Sequence, residues 1–208
     1  ASAGDQGLTW IDSAAQDPRA LRRTIAARLC AAWPQDEAQP RCVALAAGYD
    51  GRLGVNAINE EVRHARGAGV ADYVDGQPVL VIANDAASGL ANGDLGRIER
   101  AGDAWRARFG VGAEARLLAS GQMPAHRDAW AMTVHKAQGS EFDEVIIILP
   151  DEPHPLATRE WLYTAVSRAR TRVTLLGSEQ ALTHAVNCAG SRRTGLAARL
   201  AKDASRAV

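Results

Sequence analysis

Two stretches of this chain gather side chains that can hold an anion. The first, Thr133-Val-His-Lys-Ala-Gln-Gly-Ser-Glu141, offers a hydroxyl, an imidazole and an ammonium within four residues, then small residues and a carboxylate. Thr133, His135 and Lys136 supply two donors and a cation where an apolar run ends and the chain turns. Gly139-Ser140 lets the backbone approach a ligand closely before Glu141 adds negative charge. In the second stretch, Thr158 to Val173, helical spacing puts Leu162, Ala165, Val166 and Ala169 on one face and Glu160, Thr164, Ser167 and Arg168 on other sides. Arg168 then lies near the helix C-terminus, where its guanidinium can project toward a phosphate bound on a neighbouring domain. A plainer reading stays open on these residues alone: a surface histidine, a solvated acid and a cation at the favourable end of a helix dipole.

These side chains need elements to hold them. Residues 130–134 and 144–149 have the apolar texture of strands, joined by a short helical turn at 135–139. A helix is predicted from about 158 to 169, then a strand at 172–176 and a helix that Ser178 caps and that runs to about 187. Upstream, Asp17 as N-cap and Pro18 at the first helical position open a helix over 18–33, with Leu21, Ile25, Leu29 and Ala32 on one face. A loop at 36–40, a buried strand at 41–47 running into a turn at 48–51, and a helix over 55–66 follow. Alternating strands and helices predict a mostly parallel sheet, with ligands at the carboxyl edge of its strands. Between 72 and 125 the texture changes to short strands at 78–83, 95–100, 105–109 and 115–118, separated by turns such as Asn92-Gly-Asp94. The predicted architecture is an α/β domain made of 1–71 and 126–208, interrupted by a small β-barrel at 72–125.

Composition agrees with a folded chain. At 208 residues, 47% hydrophobic and 23% charged, it is neither a disordered tail nor a fibrous protein. Lys+Arg and Asp+Glu both number 24, so any polyanion must be met by local patches. The neutrality is uneven: from Arg159 onward nine basic residues face three acids, an excess of +6 that leaves −6 on residues 1–158. Only Lys136 and Lys202 are lysines, so the positive charge is carried almost wholly by guanidinium groups. Cys30, Cys42 and Cys188 are too few and too scattered for a disulfide framework or a zinc site, which predicts a reducing, cytoplasmic setting. No apolar run approaches the roughly 18 residues of a membrane span, and the polar start Ala1-Ser-Ala-Gly-Asp5 does not read as a signal peptide.

Taken together and in this order, the two stretches resemble the last two motifs of superfamily 1 helicases, T-x-H-x-x-x-G-x-E-F and Y-x-A-x-[ST]-R-A. The finer resemblance is to the RecD family, the alpha chain of exodeoxyribonuclease V. Its wording is nearly reproduced at Ala131 to Asp143, Leu149-Pro150 and Thr158 to Arg170, with further likeness at Ala44 to Gly48, Gly76 to Asp85, Gly89 to Gly96 and Arg192 to Ala198. The resemblance implies a second RecA-like motor domain with an inserted SH3-like barrel. It implies that Thr133, His135 and Lys136 touch a single-stranded DNA backbone, that Gln138, Gly139 and Glu141 face a nucleotide, and that Arg168 is an arginine finger on its γ-phosphate. It also implies ATP with Mg²⁺, 5′ to 3′ movement, and as partners the N-terminal motor domain and RecB- and RecC-type subunits in double-strand-break repair. Two departures stand out: Ala46-Ala47 where relatives carry an arginine, and Trp161 for the usual leucine.

The phosphate-cradling loop G-x-x-x-x-G-K-[ST] does not occur in this sequence. The expectation is therefore a C-terminal portion of a helicase subunit, inactive as an ATPase without the domain that carries that loop. A stand-alone helicase of the same type and a non-catalytic assembly module are the alternatives.

Overall fold

The run Val145-Ile-Ile-Ile148 is too continuously apolar for a strand with one wet face, and it lies in the middle of a sheet covered on both sides. The computed structural model describes residues 7–32, 41–69, 72–110, 112–152 and 154–190. The loop expected at 36–40 and the basic residues Arg192, Arg193, Arg199, Lys202 and Arg206 lie outside them. Five strands, β1 (Leu8–Asp12), β2 (Cys42–Ala46), β8 (Ala131–Thr133), β9 (Phe142–Ile148) and β10 (Ala169–Gly177), run parallel in the order β1-β10-β9-β2-β8.

Alternation along β9 sends its side chains to two cores. Val145 and Ile147 join Leu45, Val173 and Leu175 under Trp161 and Ala165 of α3 (Arg159–Val166) and Ala181 and Ala185 of α4 (Glu179–Asn187). Ile146 and Ile148 join Ala44 and Ala46 under Leu21, Ile25 and Leu29 of α1 (Pro18–Ala31) and Val55, Ile58 and Val62 of α2 (Val55–Ala65). Asp17 caps α1 as the sequence predicts, accepting from the backbone N–H groups of Arg19 at 3.3 Å and Ala20 at 3.1 Å. Helix α3 is shorter than the predicted 158–169. Thr158 is its N-cap, accepting from Trp161 N at 3.3 Å, and Ala169 already pairs with Phe142 in the sheet. Strand β1 had no predicted counterpart: only Ile11 is even partly buried, so no alternation marks it.

Between α2 and β8 the chain forms a second, antiparallel sheet in the order β6-β5-β4-β3-β7, from β3 (Pro78–Val81), β4 (Leu95–Ala101), β5 (Ala104–Phe109), β6 (Arg116–Ala119) and β7 (His126–Asp128). It has its own core of Val79, Val81, Leu90, Ile98, Ala107 and Phe109. Strand β7 begins one residue after the 72–125 interval and leads through Ala129-Trp130 into β8.

Polar groups join the two sheets. Arg63 of α2 grips Asp128 of β7 with Nε and Nη2, and its Nη1 donates to the carbonyl of Asp72 at 2.6 Å. Asp128 also accepts from Nε2 of Gln77, which is 1% exposed, at 2.6 Å. A two-pronged arginine–carboxylate pair with its remaining lone pairs filled is the form in which a part-buried ion pair fixes geometry. Asn59, also on α2, treats β8 as a neighbouring strand would: Oδ1 accepts from Ala131 N at 2.8 Å and Nδ2 donates to Ala131 O at 3.0 Å. One amide thus covers the polar edge of the sheet's outermost strand.

Candidate functional site

The 134–141 segment is a short crossover between two ends of the sheet. Thr133 closes β8 at the level of Ala46 and Ile148, the carboxyl edge, whereas Glu141 immediately precedes Phe142 at the amino end of β9. The six residue steps of β9 between those levels correspond to roughly 20 Å. The sequence-predicted residues therefore form two groups rather than one. Thr133, His135 and Lys136 belong to the carboxyl edge; Glu141 and Arg168 belong to the amino edge, with Gln138 and Gly139 between them.

At the carboxyl edge, the carbonyl of Thr133 accepts from Lys136 N at 2.9 Å and Ala137 N at 3.2 Å, forming the predicted turn. Thr133 itself is 8% exposed and Ala137 is buried, which pins the turn to the core. His135 is exposed. Lys136 reaches across to the inserted sheet, where Nζ donates to Asn92 Oδ1 at 2.7 Å. Gln138 and Gly139 are exposed, and Gly139 adopts φ +87°, a left-handed conformation that glycine takes without a Cβ penalty.

At the amino edge, Arg168 sits in the tight turn between α3 and β10, and its carbonyl accepts from Phe142 N at 2.8 Å. Its guanidinium donates to Thr164 O at 3.3 Å, Ser140 O at 3.2 Å and Ser167 Oγ at 3.1 Å. All three partners are neutral, and among the described residues no carboxylate pairs with Arg168. Its charge is positioned but not neutralised, the condition that favours an incoming anion. Glu141 is exposed and paired with Arg170 at 3.2 Å. Among the described residues no group of three or more His, Cys, Asp or Glu could hold a metal ion.

Sequence reading missed a cleft of about 450 Å³ at the carboxyl edge between β2 and β9, lined by Ala46–Gly48, Arg52, Gly54 and Pro150–Asp151. It lies where the chain order reverses: β2 leads toward β8 on one side, and β9 toward β10 on the other. Such switch points are the usual ligand crevices of parallel sheets, but the strand order that creates one is not written locally in the sequence. The departure Ala46-Ala47 lines this cleft. The arginine at its mouth, Arg52, is bridged to Asp151 at 3.1 Å.

The family described as UvrD-like helicase C-terminal domain matches residues 128–176, from the end of β7 into β10. RecBCD enzyme subunit RecD of Mycolicibacterium smegmatis is 40% identical over 162 residues, covering 75% of this chain and 28% of the relative. The subunit of the same name from Haemophilus influenzae is 33% identical over 159 residues, covering 73% and 24%. Over the matched span, the chain is similar to RecD subunits, and it spans about a quarter of the length of those relatives. A Pif1 helicase from Bacteroides, solved with ADP-AlF3 and single-stranded DNA, superposes with a TM-score of 0.48 at 16% identity, covering 88% of this chain and 50% of that one. The span matched by the UvrD-like helicase C-terminal domain includes β8, the crossover, β9, α3 and most of β10, and thus both groups of site residues. No helix among the described residues is long and apolar enough to cross a membrane. The three cysteines are unpaired, and burial pushes the Cys42 thiol up to about 12.

Proposed function

We propose that this chain is the C-terminal motor portion of a RecD-type, ATP-dependent DNA helicase subunit, comprising a discontinuous RecA-like domain (1–71 and 126–208) and an SH3-like insertion (72–125). The observation that carries the reading is the crossover: one eight-residue segment begins at donors on the carboxyl edge and ends against an uncompensated arginine on the amino edge. In this reading, His135 and Lys136 hold the phosphates of single-stranded DNA. Thr133, largely buried, anchors the turn and contacts the strand only at its rim. Gln138, Gly139 and Glu141 face the nucleotide. Arg168 places its guanidinium on the γ-phosphate of ATP, where such a group contributes about 10³ to 10⁵ in rate.

The residues present fit that division of labour. Arg168 is held by neutral oxygens alone and can accept a phosphate, while Mg²⁺ and the phosphate-cradling loop belong to the N-terminal motor domain. The bond from Arg168 to Ser140 O links the nucleotide side to the segment that carries the DNA grip, so closure on ATP shifts His135 and Lys136 relative to the strand. Phosphate contacts of this kind carry no sequence preference. RecB- and RecC-type subunits are the partners, and the direction is 5′ to 3′.

Arg168→Ala in a protein that carries both motor domains tests the reading. ATP binding is expected to persist while hydrolysis falls by about 10³-fold or more. Unchanged hydrolysis overturns it, as does ATPase activity of the 208-residue chain alone in the presence of single-stranded DNA.

A further inference from the structure

Beside the DNA-gripping turn lies a second feature. Tyr49 is three residues past Ala46, the end of β2, and His135 is two residues past Thr133, the end of β8; these are adjacent strands, and Ala46 and Thr133 are register partners. The two side chains therefore leave the sheet from neighbouring strands at one edge. Over the Tyr49 ring, 5.0 Å from its centre, lies the guanidinium of Arg127, which comes from β7 of the inserted sheet. Arg127 is exposed and, among the described residues, makes no ion pair. Both side chains line a groove of about 440 Å³, together with the buried Val55 and Met132 and the carboxylates of Glu60 and Asp128, the latter paired with Arg63.

We propose that Tyr49 and Arg127 form a stacking platform for a base of single-stranded nucleic acid whose phosphates are held by His135 and Lys136. The inference rests on the DNA-binding reading above and adds to it a site that neither late motif contains. Three features favour a base as the occupant. A phenol ring beneath a guanidinium plane presents flat, polarisable faces, the surfaces on which nucleobases stack. The uncompensated charge of Arg127 favours a polyanion and disfavours a cationic peptide. The platform also draws one member from each sheet, so a strand passing over the carboxyl edge meets both.

The groove reads faces and not edges. Both ring nitrogens of His126 are occupied, Nδ1 near Pro124 O at 2.8 Å and Nε2 near Tyr73 OH at 3.2 Å, and the Asn56 amide donates to Asp50 at 3.1 Å. Base-edge groups therefore find few unengaged partners, and binding tolerates any sequence. Glu60, exposed and also lining the groove, repels phosphate, so in this arrangement the backbone keeps to the His135 side. The platform is preorganised: Tyr49 O accepts from Asn56 N at 3.0 Å, which ties the loop to the first turn of α2.

The test is binding of a fluorescein-labelled oligothymidylate to the 208-residue chain across a salt series. Tyr49→Ala and Arg127→Lys are each expected to weaken binding about tenfold, because lysine keeps the charge but not the planar face, whereas Tyr49→Phe retains wild-type affinity. The slope of log K against log salt stays unchanged in Tyr49→Ala but falls by about 0.7 in Lys136→Ala, which removes a phosphate contact. An oligomer of abasic sugar phosphates should bind wild type and Tyr49→Ala equally. If Tyr49→Ala and Arg127→Lys bind like wild type while Lys136→Ala weakens binding, the platform is wrong and the DNA reading stands. If Tyr49→Ala lowers the salt slope, the contact is to phosphate and the platform is wrong. If wild type does not bind the oligomer, both fall.

Discussion

Asn59→Ala probes how the fold holds β8, the strand that leads into the Thr133–Lys136 turn. Asn59 is 8% exposed, and its amide makes three bonds to the segment that enters β8: two with Ala131, at 2.8 and 3.0 Å, and one to Asp128 O at 3.3 Å. Ala131 is 1% exposed, so removing the amide strands a buried N–H and a buried C=O on the outer side of β8. Each such group costs about 1–3 kcal/mol when left unpaired. The neighbouring groove includes Asn59 and Ala131 in its lining, and water entering the space left by the side chain offsets part of that cost. The expected loss is therefore about 2–4 kcal/mol, a large share of the 5–15 kcal/mol by which a domain is stable. With a urea slope of about 2–3 kcal/mol per molar, the unfolding midpoint falls by roughly 1 M. Amide exchange at Ala131 should accelerate in parallel. Asn59→Asp should be no better, since it keeps the acceptor but aims a carboxylate at two carbonyls. A midpoint within about 0.2 M of wild type, with Ala131 still protected, refutes the view that this amide serves as the missing strand.

Two further outcomes follow from the packing. Gly54→Ala would place a Cβ 2.4 Å from Asp50 O and 2.7 Å from Tyr49 O, both backbone atoms that cannot swing away, so a loss of about 1–3 kcal/mol in thermal or urea unfolding is expected together with weaker oligonucleotide binding; an unaffected midpoint counts against the tight loop. Cys42, raised by burial first and by Glu144 second, should resist alkylation at pH 8 to 9 while half-buried Cys188 reacts. The sign of the linkage is that of a raised pKa: stability is intact below the thiol's unfolded value near 9 and declines as pH rises from there toward about 12, so Cys42→Ala should flatten that part of the stability profile.

The elements that hold the candidate site residues were legible in the sequence because their ends carry strong local signatures. A strand rich in Val and Ile, a glycine with positive φ, an N-capping Thr158 and an arginine at the end of α3 are each written within a few residues. The alternating strand and helix pattern was enough for the parallel sheet and for the inserted antiparallel one. Strands β1 and β7 were not legible, since one is largely exposed and the other is three residues long, so neither carries an alternating pattern.

Local residue patterns settle which side chains stand at the ends of which elements. The tertiary structure decided where those ends go: the pairing of β8 with β2 and of β10 with β9 sends the donors and the arginine to opposite edges of one sheet, joined by a single short crossover. It also decided the partnerships between distant residues, Asn59 with Ala131, Arg63 with Asp128 and Tyr49 with Arg127. The physical reason is that strand order and packing between sheets come from burying two apolar faces at once, a condition on the whole chain that no local spacing expresses.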